Sequence, residues 1–338
     1  MSSAAEQACA ALPLRLVFPD WHPRYPDAST LPMWTHRLSL ATALAAWMFV
    51  LATGLAHGSG AAACAGSPCD GSLGALQAQH LAAWGVGLLT AALCLMSLLE
   101  GRRIHATVPR LAALALLLVV ARRLLGELMA LEVSPGLLSW AHLCVSVIFF
   151  APVMGIACLT RHAARPDSPA RRDAVPAGSY RLLVLATGLC FVQIVLGGLV
   201  RHAGAGLACG DLPLCRGVLP LGQSAEVILH AVHRLHGLLF AAVTFVALPR
   251  LRPHLRRQTD STRRLLLVLL SFGVLAQIVL GLLTVWSYLG LLFVTLHLGL
   301  GALLLAGLLV LCFRLRAASA ASEAADLGGL ISPQGDAA

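Results

Sequence analysis

Eight stretches of about 20 apolar residues follow one another along this chain of 338 residues, and they constrain its fold more than any other feature. Each is long enough for a helix to cross a bilayer, and uninterrupted Leu, Ala and Val runs satisfy their backbone groups as helices rather than barrel strands. Charged residues form 12% of the chain, too few to cover a water-facing surface. The sequence therefore predicts an all-α integral membrane protein and excludes a soluble globular enzyme. The eight spans are 38–57, 79–99, 110–131, 137–159, 181–203, 226–249, 265–286 and 289–313.

The distribution of arginine predicts the orientation of these spans. All 24 basic residues are arginines, and the loops that follow even-numbered spans are rich in them. The opposite loops, 58–78, 132–136 and 204–225, contain only Arg216. By the positive-inside rule both termini are cytoplasmic. The formal net charge of +9 is therefore a topology signal and does not imply a nucleic-acid partner. The arginines after even-numbered spans are Arg102, Arg103, Arg110, Arg161, Arg165, Arg171, Arg172, Arg252, Arg256, Arg257, Arg263 and Arg264.

The chain contains an internal repeat of four spans. A glycine precedes a histidine by 16 residues in both copies, and a further histidine lies 62 or 64 residues before the last one. The matched residues are Gly126 and His142 with Gly281 and His297, and His80 with His233. Four spans are an even number, so the copies run in the same direction, as two tandem four-helix bundles related by a pseudo-two-fold axis along the membrane normal.

The repeat also predicts the boundaries of the segments. The first repeat covers 37–160 and the second covers 181–315, with a cytoplasmic linker at 161–180. The N-terminal segment 1–36 lacks the basic and apolar regions of a signal peptide and is interpreted as cytoplasmic. The Ala/Ser-rich tail 316–338 is predicted to be disordered.

Four histidines, two in each repeat, lie within about two to three turns of the outer end of an even-numbered span. They are His80, His142, His233 and His297. Ionisable residues inside spans are costly and point to function. Two imidazoles on facing helices can take both axial positions of a haem iron, whereas a single histidine more often forms an interhelical hydrogen bond. The duplication favours haem ligation. His230 and His236 compete with His233, but only His233 has a counterpart in the other repeat.

Several charged residues suit the carboxylates of a haem. Arg201 and Arg234 lie near the outer surface, where they are expected to meet haem propionates. Arg122, Arg123 and Glu127 lie within the third span. One interpretation is that Arg123 and Glu127, at positions i and i+4, neutralise each other. The other is that one of the two arginines binds a haem propionate.

Close cysteine pairs occur in the two long outer loops. They are Cys64 with Cys69 and Cys209 with Cys215. Their place on the oxidising side predicts disulfides or paired redox thiols. Zinc clips and unrelated thiols are the alternatives.

Ordered motifs in the second repeat point to a known family. They are Gln193-Ile194-Val195-Leu196-Gly197-Gly198-Leu199-Val200-Arg201, Gly204-Ala205-Gly206-Leu207-Ala208-Cys209-Gly210-Asp211-Leu212-Pro213-Leu214-Cys215, His233-Arg234, Gln277-Ile278-Val279-Leu280-Gly281-Leu282-Leu283-Thr284-Val285 and His297-Leu298. Over about 190–300 this series resembles the signature of the CtaA-type haem A synthases. Over 40–150 the resemblance rests on the architecture and the spacing of the histidines.

The resemblance implies an activity and a division of labour. Members of that family oxidise one ring methyl of haem O to a formyl group, which gives haem A for terminal oxidases. His233 and His297 would then ligate a resident haem b, while His80 and His142 would ligate the haem being oxidised. The outer cysteines would be structural or redox-active. The family resemblance further implies that the protein lies in a bacterial inner membrane, receives electrons from a donor and receives its substrate from a haem O synthase. It is compatible with both a monomer and a homo-oligomer.

The first repeat departs from the family pattern. Gln77 stands where the family usually has a glutamate, so it joins His80 and His142 as a candidate catalytic residue that can hydrogen-bond but cannot act as a carboxylate base. Leu81 replaces the usual arginine after the histidine. These departures keep open a non-catalytic bis-histidine cytochrome that only carries electrons. A transporter is the third alternative, and the apparent lack of Gly/Pro breaks in spans two, four, six and eight counts against it.

Overall fold

The computed structural model describes residues 33–58, 72–100, 104–130, 135–162, 175–211, 224–256 and 261–331. Every regular element in these ranges is a helix, and none is a strand, which confirms the prediction of an all-α protein. The helices are α1 (Met33–Gly58), α2 (Ser72–Glu100), α3 (Thr107–Ala130), α4 (Pro135–Ile148), α5 (Phe150–His162), α6 (Ala177–His202), α7 (Ala225–Arg256), α8 (Ser261–Trp286) and α9 (Leu291–Ile331), with a short 3-10 helix at Ala205–Leu207.

Seven helical stretches in the described ranges are long and apolar enough to cross a membrane, so the chain is a multi-pass membrane protein. Helices α4 and α5 together form one of them. The sequence predicts eight spans, and α3 is the one that does not qualify. It has 24 residues, enough for a span, but its second half carries the charged residues Arg122, Arg123 and Glu127.

The fourth predicted span is interrupted at Phe149, between α4 and α5. Pro152 explains the break, because a proline has no N–H to donate to the carbonyl four residues earlier, here that of Ile148. The prediction that the even-numbered spans are free of proline breaks is therefore wrong for this span. Helix α7 also contains Pro249 and Pro253 near its C-terminal end. The helices therefore do not count against a transporter.

The helices pack as two similar groups. In the first group α1 contacts α2, α2 contacts α3, and α3 contacts both α4 and α5, while α5 returns to α1. In the second group α6, α7, α8 and α9 contact one another in the same cyclic order. Between the groups α1 contacts α9, α4 contacts α6, and α5 contacts α9. Equivalent helices of the repeat thus have equivalent neighbours, and the symmetry axis itself stays a prediction.

Glycines bring the two groups together. A Cβ atom on Gly198 of α6 would collide with Leu143 of α4. A Cβ atom on Gly54 of α1 would lie 3.2 Å from the side chain of Thr295 of α9. Small residues let membrane helices approach closely. These two glycines therefore let α6 pack closely on α4 and α1 pack closely on α9.

The C-terminal segment differs from its prediction. Helix α9 continues to Ile331, so residues 317–331 are helical rather than disordered. Alanine has the highest intrinsic helix propensity, and the composition of this segment lets the span helix continue beyond its apolar part.

Candidate functional site

The histidines of the second group lie against glycines of neighbouring helices. His233 of α7 faces Gly197 of α6, and His297 of α9 faces Gly281 of α8. A Cβ atom added to Gly197 would lie 3.1 Å from the Cε1 atom of His233, and one added to Gly281 would lie 3.2 Å from that of His297. A side chain at either position would require the imidazole to shift by a few tenths of an ångström.

Two glutamines hold the backbone of the same histidines. Gln193 and Gln277 each lie one turn before the glycine, on the same helix face. The Gln193 amide donates a hydrogen bond to the carbonyl of His233 (3.1 Å), and the Gln277 amide donates one to that of His297 (2.9 Å). The Gln193 Oε1 atom also accepts a hydrogen bond from Nδ1 of His236 (2.8 Å). Sequence analysis missed this role, although the repeated Gln-Ile-Val-Leu-Gly string was its signal.

His297 has an open ring nitrogen. Its Nδ1 atom is buried and has no hydrogen-bond partner within the described part of the chain, and the same holds for Oε1 of Gln277. An unsatisfied buried polar atom destabilises a fold by about 1–3 kcal/mol, so such atoms call for an explanation. Haem iron takes imidazole nitrogens as ligands, and a ligating imidazole usually donates its other N–H to an acceptor nearby. The residues of the second group therefore fit a haem.

The first group repeats this arrangement only in part. His142 of α4 faces Gly126 of α3, where an added Cβ atom would lie 3.7 Å from the Cε1 atom of the ring. The hydroxyl of Ser146 donates to the His142 carbonyl (2.7 Å), the bond that a glutamine makes in the second group. His80 and Gln77 of α2 are exposed, whereas the other three histidines are half-buried. The first group therefore presents a more open site than the second.

Phe49 and Arg122 occupy the places of the two glutamines. In the repeat Thr53 corresponds to Gly197, so Phe49, one turn earlier, corresponds to Gln193. Arg122, one turn before Gly126, corresponds to Gln277. The guanidinium carbon of Arg122 lies 3.8 Å from the centre of the Phe49 ring.

The outer arginines are bound to backbone carbonyls. Arg234 donates to the carbonyls of Cys209 (2.5 Å) and Asp211 (2.6 Å). Arg201 donates to the carbonyl of Gly54 on α1, at 3.5 Å. Arg234 thus ties the segment after α6 to the outer end of α7. Both arginines have further N–H groups, and their contact with haem propionates stays a prediction.

His230 is the strongest competitor of His233. It is 4% exposed, and its Nδ1 atom has no hydrogen-bond partner among the residues that the structure describes. His236 is held by Gln193 instead. The structure therefore leaves His230 as an alternative ligand.

The ion pair predicted within α3 is present. Arg123 forms a salt bridge with Glu127, and both side chains are exposed. This confirms the self-neutralised couple for these two residues. Arg122 points elsewhere and is 8% exposed.

Of the four outer-loop cysteines, Cys209 lies in the described part of the chain. It is disulfide-bonded, and its partner lies outside the described residues. Cys64, Cys69 and Cys215 also lie outside them, so both predicted pairings stay predictions.

These observations define a multi-pass helical membrane protein of two similar groups, each with a histidine placed against a glycine of a neighbouring helix. The comparison with known families names the class more closely. The model of the COX15-CtaA family, described as cytochrome oxidase assembly protein, matches residues 78–310. The chain belongs to this family, which confirms the resemblance found in its motifs.

Curated relatives of this chain are heme A synthases. One from Halalkalibacterium halodurans is 33% identical over 138 residues, which cover 41% of this chain and 46% of that protein. One from Exiguobacterium sibiricum is 28% identical over 217 residues, which cover 64% and 68%. One from Bacillus cereus is 26% identical over 162 residues, which cover 48% and 51%. The chain thus spans about half the length of the first and the last of these relatives.

Proposed function

We propose that this protein is a haem A synthase-like oxidoreductase that oxidises the C8 methyl of haem O to a formyl group. The observation that carries this proposal is the pair of glycine-cradled histidines in the second group, found in a member of the COX15-CtaA family. We place the protein in a bacterial inner membrane with both termini in the cytoplasm, since the arginine-rich loops lie on that side. Haem O would come from a haem O synthase, and haem A would serve terminal oxidases.

The second group suits a resident haem b. His233 and His297 would supply its two axial ligands, and Gly197 and Gly281 leave the room that the imidazoles need. When bound, the cofactor would supply electron transfer, with a potential set by its ligands and surroundings. The backbone carbonyl of Gln277 contacts the His297 ring and would accept the N–H that a ligating imidazole keeps.

The first group suits the haem O substrate. His142 and His80 would ligate its iron, and Gln77 would offer a hydrogen bond near the reacting edge. A substrate must enter and leave, whereas a resident cofactor must stay. His80 is exposed, as expected for a site that exchanges its substrate. The histidines of the second group are more buried, as expected for a site that retains a cofactor. Two successive hydroxylations would each consume one dioxygen with two electrons and two protons from the donor and release one water, and the resulting gem-diol would lose a further water to give the formyl group.

We also propose that α3 is the eighth span and that the two groups are four-helix bundles related by a pseudo-two-fold axis. Helix α3 packs between α2 and the α4–α5 pair, as α8 packs between α7 and α9. Arg123 of this helix is neutralised by Glu127, and the guanidinium of Arg122 stacks on Phe49.

A bis-histidine cytochrome that only transfers electrons is the second candidate. It is favoured by the changes in the first group, where Phe49, Thr53 and Arg122 replace the glutamine and glycine residues of the second. These changes leave the second group intact, so a single haem b site would remain.

Extraction of the bound pigment separates these functions. The protein would be purified after co-expression with a haem O synthase, and its haems would be resolved by chromatography. We expect haem b together with haem A or its hydroxylated precursor. Haem b alone would support the electron carrier instead, and a protein without haem would overturn both proposals and support the transporter.

A further inference from the structure

The first group contains a buried cation where the second group contains a neutral amide. Arg122 is 8% exposed, and its Nε atom has no hydrogen-bond partner in the described ranges. Its guanidinium lies over the Phe49 ring. A cation–π contact attracts the charge but does not neutralise it, and a buried unpaired charge is costly inside a membrane. A function that uses this charge would explain why it is there.

The acidic residues described in the first group are engaged elsewhere. Glu127 pairs with Arg123 on an exposed face of α3. Glu100 accepts a hydrogen bond from Thr35 (2.6 Å), near the start of α1 and at the end of α2. The positive charge of Arg122 therefore lacks a counter-ion in the part of this group that the structure describes.

Arg122 lines a small cavity inside the first group. Its walls include Phe49, Val50, Val86, Ser146 and Phe149. Ser146 lies one turn after His142, and Arg122 lies one turn before Gly126, which contacts the His142 ring. Four residues rise about 6 Å along a helix, so the Cα atom of Arg122 lies roughly that far from the level of Gly126, which contacts the His142 ring. The cavity has room for about one water molecule, so a propionate that reaches Arg122 would have to widen it.

We propose that Arg122 binds a propionate of the tetrapyrrole in the first group, an inference that rests on the proposed function. A planar guanidinium binds a carboxylate through two parallel hydrogen bonds, and the attraction is strong where water is excluded. The equivalent Gln277 can make no such ionic contact. The first group would thereby bind a propionate inside the helices at Arg122, whereas the propionate contacts predicted for the second group involve Arg201 and Arg234.

Two iron porphyrins test this assignment in the purified full-length protein. Iron protoporphyrin IX has two free propionates, and its dimethyl ester has none. The affinity of the protein for each porphyrin would be measured by absorbance titration. The same titration of the His142→Ala variant gives the absorbance change of the second group alone, and the difference between the two titrations is the first-group signal. We expect the wild-type protein to prefer the free acid by about ten- to a hundredfold, the range of a hydrogen-bonded ionic contact. Arg122→Gln should lose this preference and bind both porphyrins alike.

Controls separate a binding role from a structural one. Arg123→Gln removes the same charge from the neighbouring position and should keep the preference for the free acid. Arg122→Lys should keep part of it, since the charge remains without the planar fork. Retained haem b absorbance from the second group shows that a variant is folded. An equal preference in the wild type and in Arg122→Gln would overturn this inference alone, whereas a wild-type protein that binds neither porphyrin would overturn the proposed function with it.

Discussion

Gly197 and Gly281 each leave room for one imidazole, because the Cβ atom of any other residue would lie within 3.1 or 3.2 Å of a histidine carbon. A methyl group there must displace the ring by a few tenths of an ångström. Metal ligation depends on the position and direction of the nitrogen lone pair, so this small displacement matters more in a ligand site than in ordinary packing. Single glycines should therefore affect haem binding if the second group holds the proposed haem b.

Gly197→Ala should weaken haem b binding. We expect about 1 kcal/mol of overpacking, roughly a fivefold loss of affinity, with a changed low-spin signal of the haem. The measurement is the haem b content per protein and its electron paramagnetic resonance spectrum. Gly188→Ala is the matched control, because it lies on the same helix and its added Cβ atom meets nothing within 4 Å. Equal haem content in the two variants would show that the ring is not held by this contact.

The identity of the ligand on α7 is open to a similar test. His233→Ala should abolish the haem b absorbance, since this histidine faces Gly197 and its carbonyl is held by Gln193. His230→Ala and His236→Ala should keep most of it. Absorbance spectra of the three purified variants give the answer. Loss of the pigment in His230→Ala, with retention in His233→Ala, would assign the ligand to His230 and reject the repeat-based choice.

The sequence alone singles out the histidines as candidate ligands but does not predict which residues support them. His233 and His297 stand out because ionisable residues are rare in apolar spans and because they recur. The roles of Gln193 and Gln277 depend on which backbone carbonyl lies opposite, a matter of helix packing that no periodicity encodes. The stacking of Arg122 on Phe49 could not be predicted from the sequence either, because Phe49 lies on another helix, 73 residues before Arg122.

At the scale of helices, the length and composition of the apolar stretches predicted that helices form. They did not predict local departures, such as a break within a span or a helix that extends beyond it. The break at Phe149 follows from Pro152, a residue visible in the sequence but outweighed there by a long apolar stretch. The extension of α9 to Ile331 follows from alanine, whose helix propensity does not depend on hydrophobicity. In both cases the backbone preference of one residue type decided the outcome.

Helix α3 offers a prediction of topology. If it spans the membrane, residues 101–106 are cytoplasmic and residues 131–134 lie on the outer side. Single cysteines would be placed in each segment of a variant without the native cysteines, and labelled from outside with a membrane-impermeant reagent. We expect labelling of the second segment but not of the first. Labelling of both or of neither would place the two segments on the same side, and α3 would then not be a span.

At the scale of the whole molecule, the two groups meet through small residues next to the functional histidines. Gly198 is the neighbour of Gly197 and packs on Leu143, which follows His142 of the first group. Arg201 of α6 reaches the Gly54 carbonyl of α1. The interface thus connects the two histidine sites directly, so a change in packing there should be felt in both groups.

A double-mutant cycle at this interface tests the connection. Gly198→Ala adds a Cβ atom where Leu143 already lies, so we expect it to destabilise the protein by about 1–3 kcal/mol and to reduce haem A formation. Leu143→Ala alone should leave a cavity and destabilise it as well. The two changes together should be less harmful than the sum of their effects, because the smaller side chain makes room for the new methyl group. Thermal unfolding followed by haem b absorbance measures the coupling. Strictly additive effects would mean that α4 and α6 do not pack through this pair, and the two sites would then lack the contact that links them here.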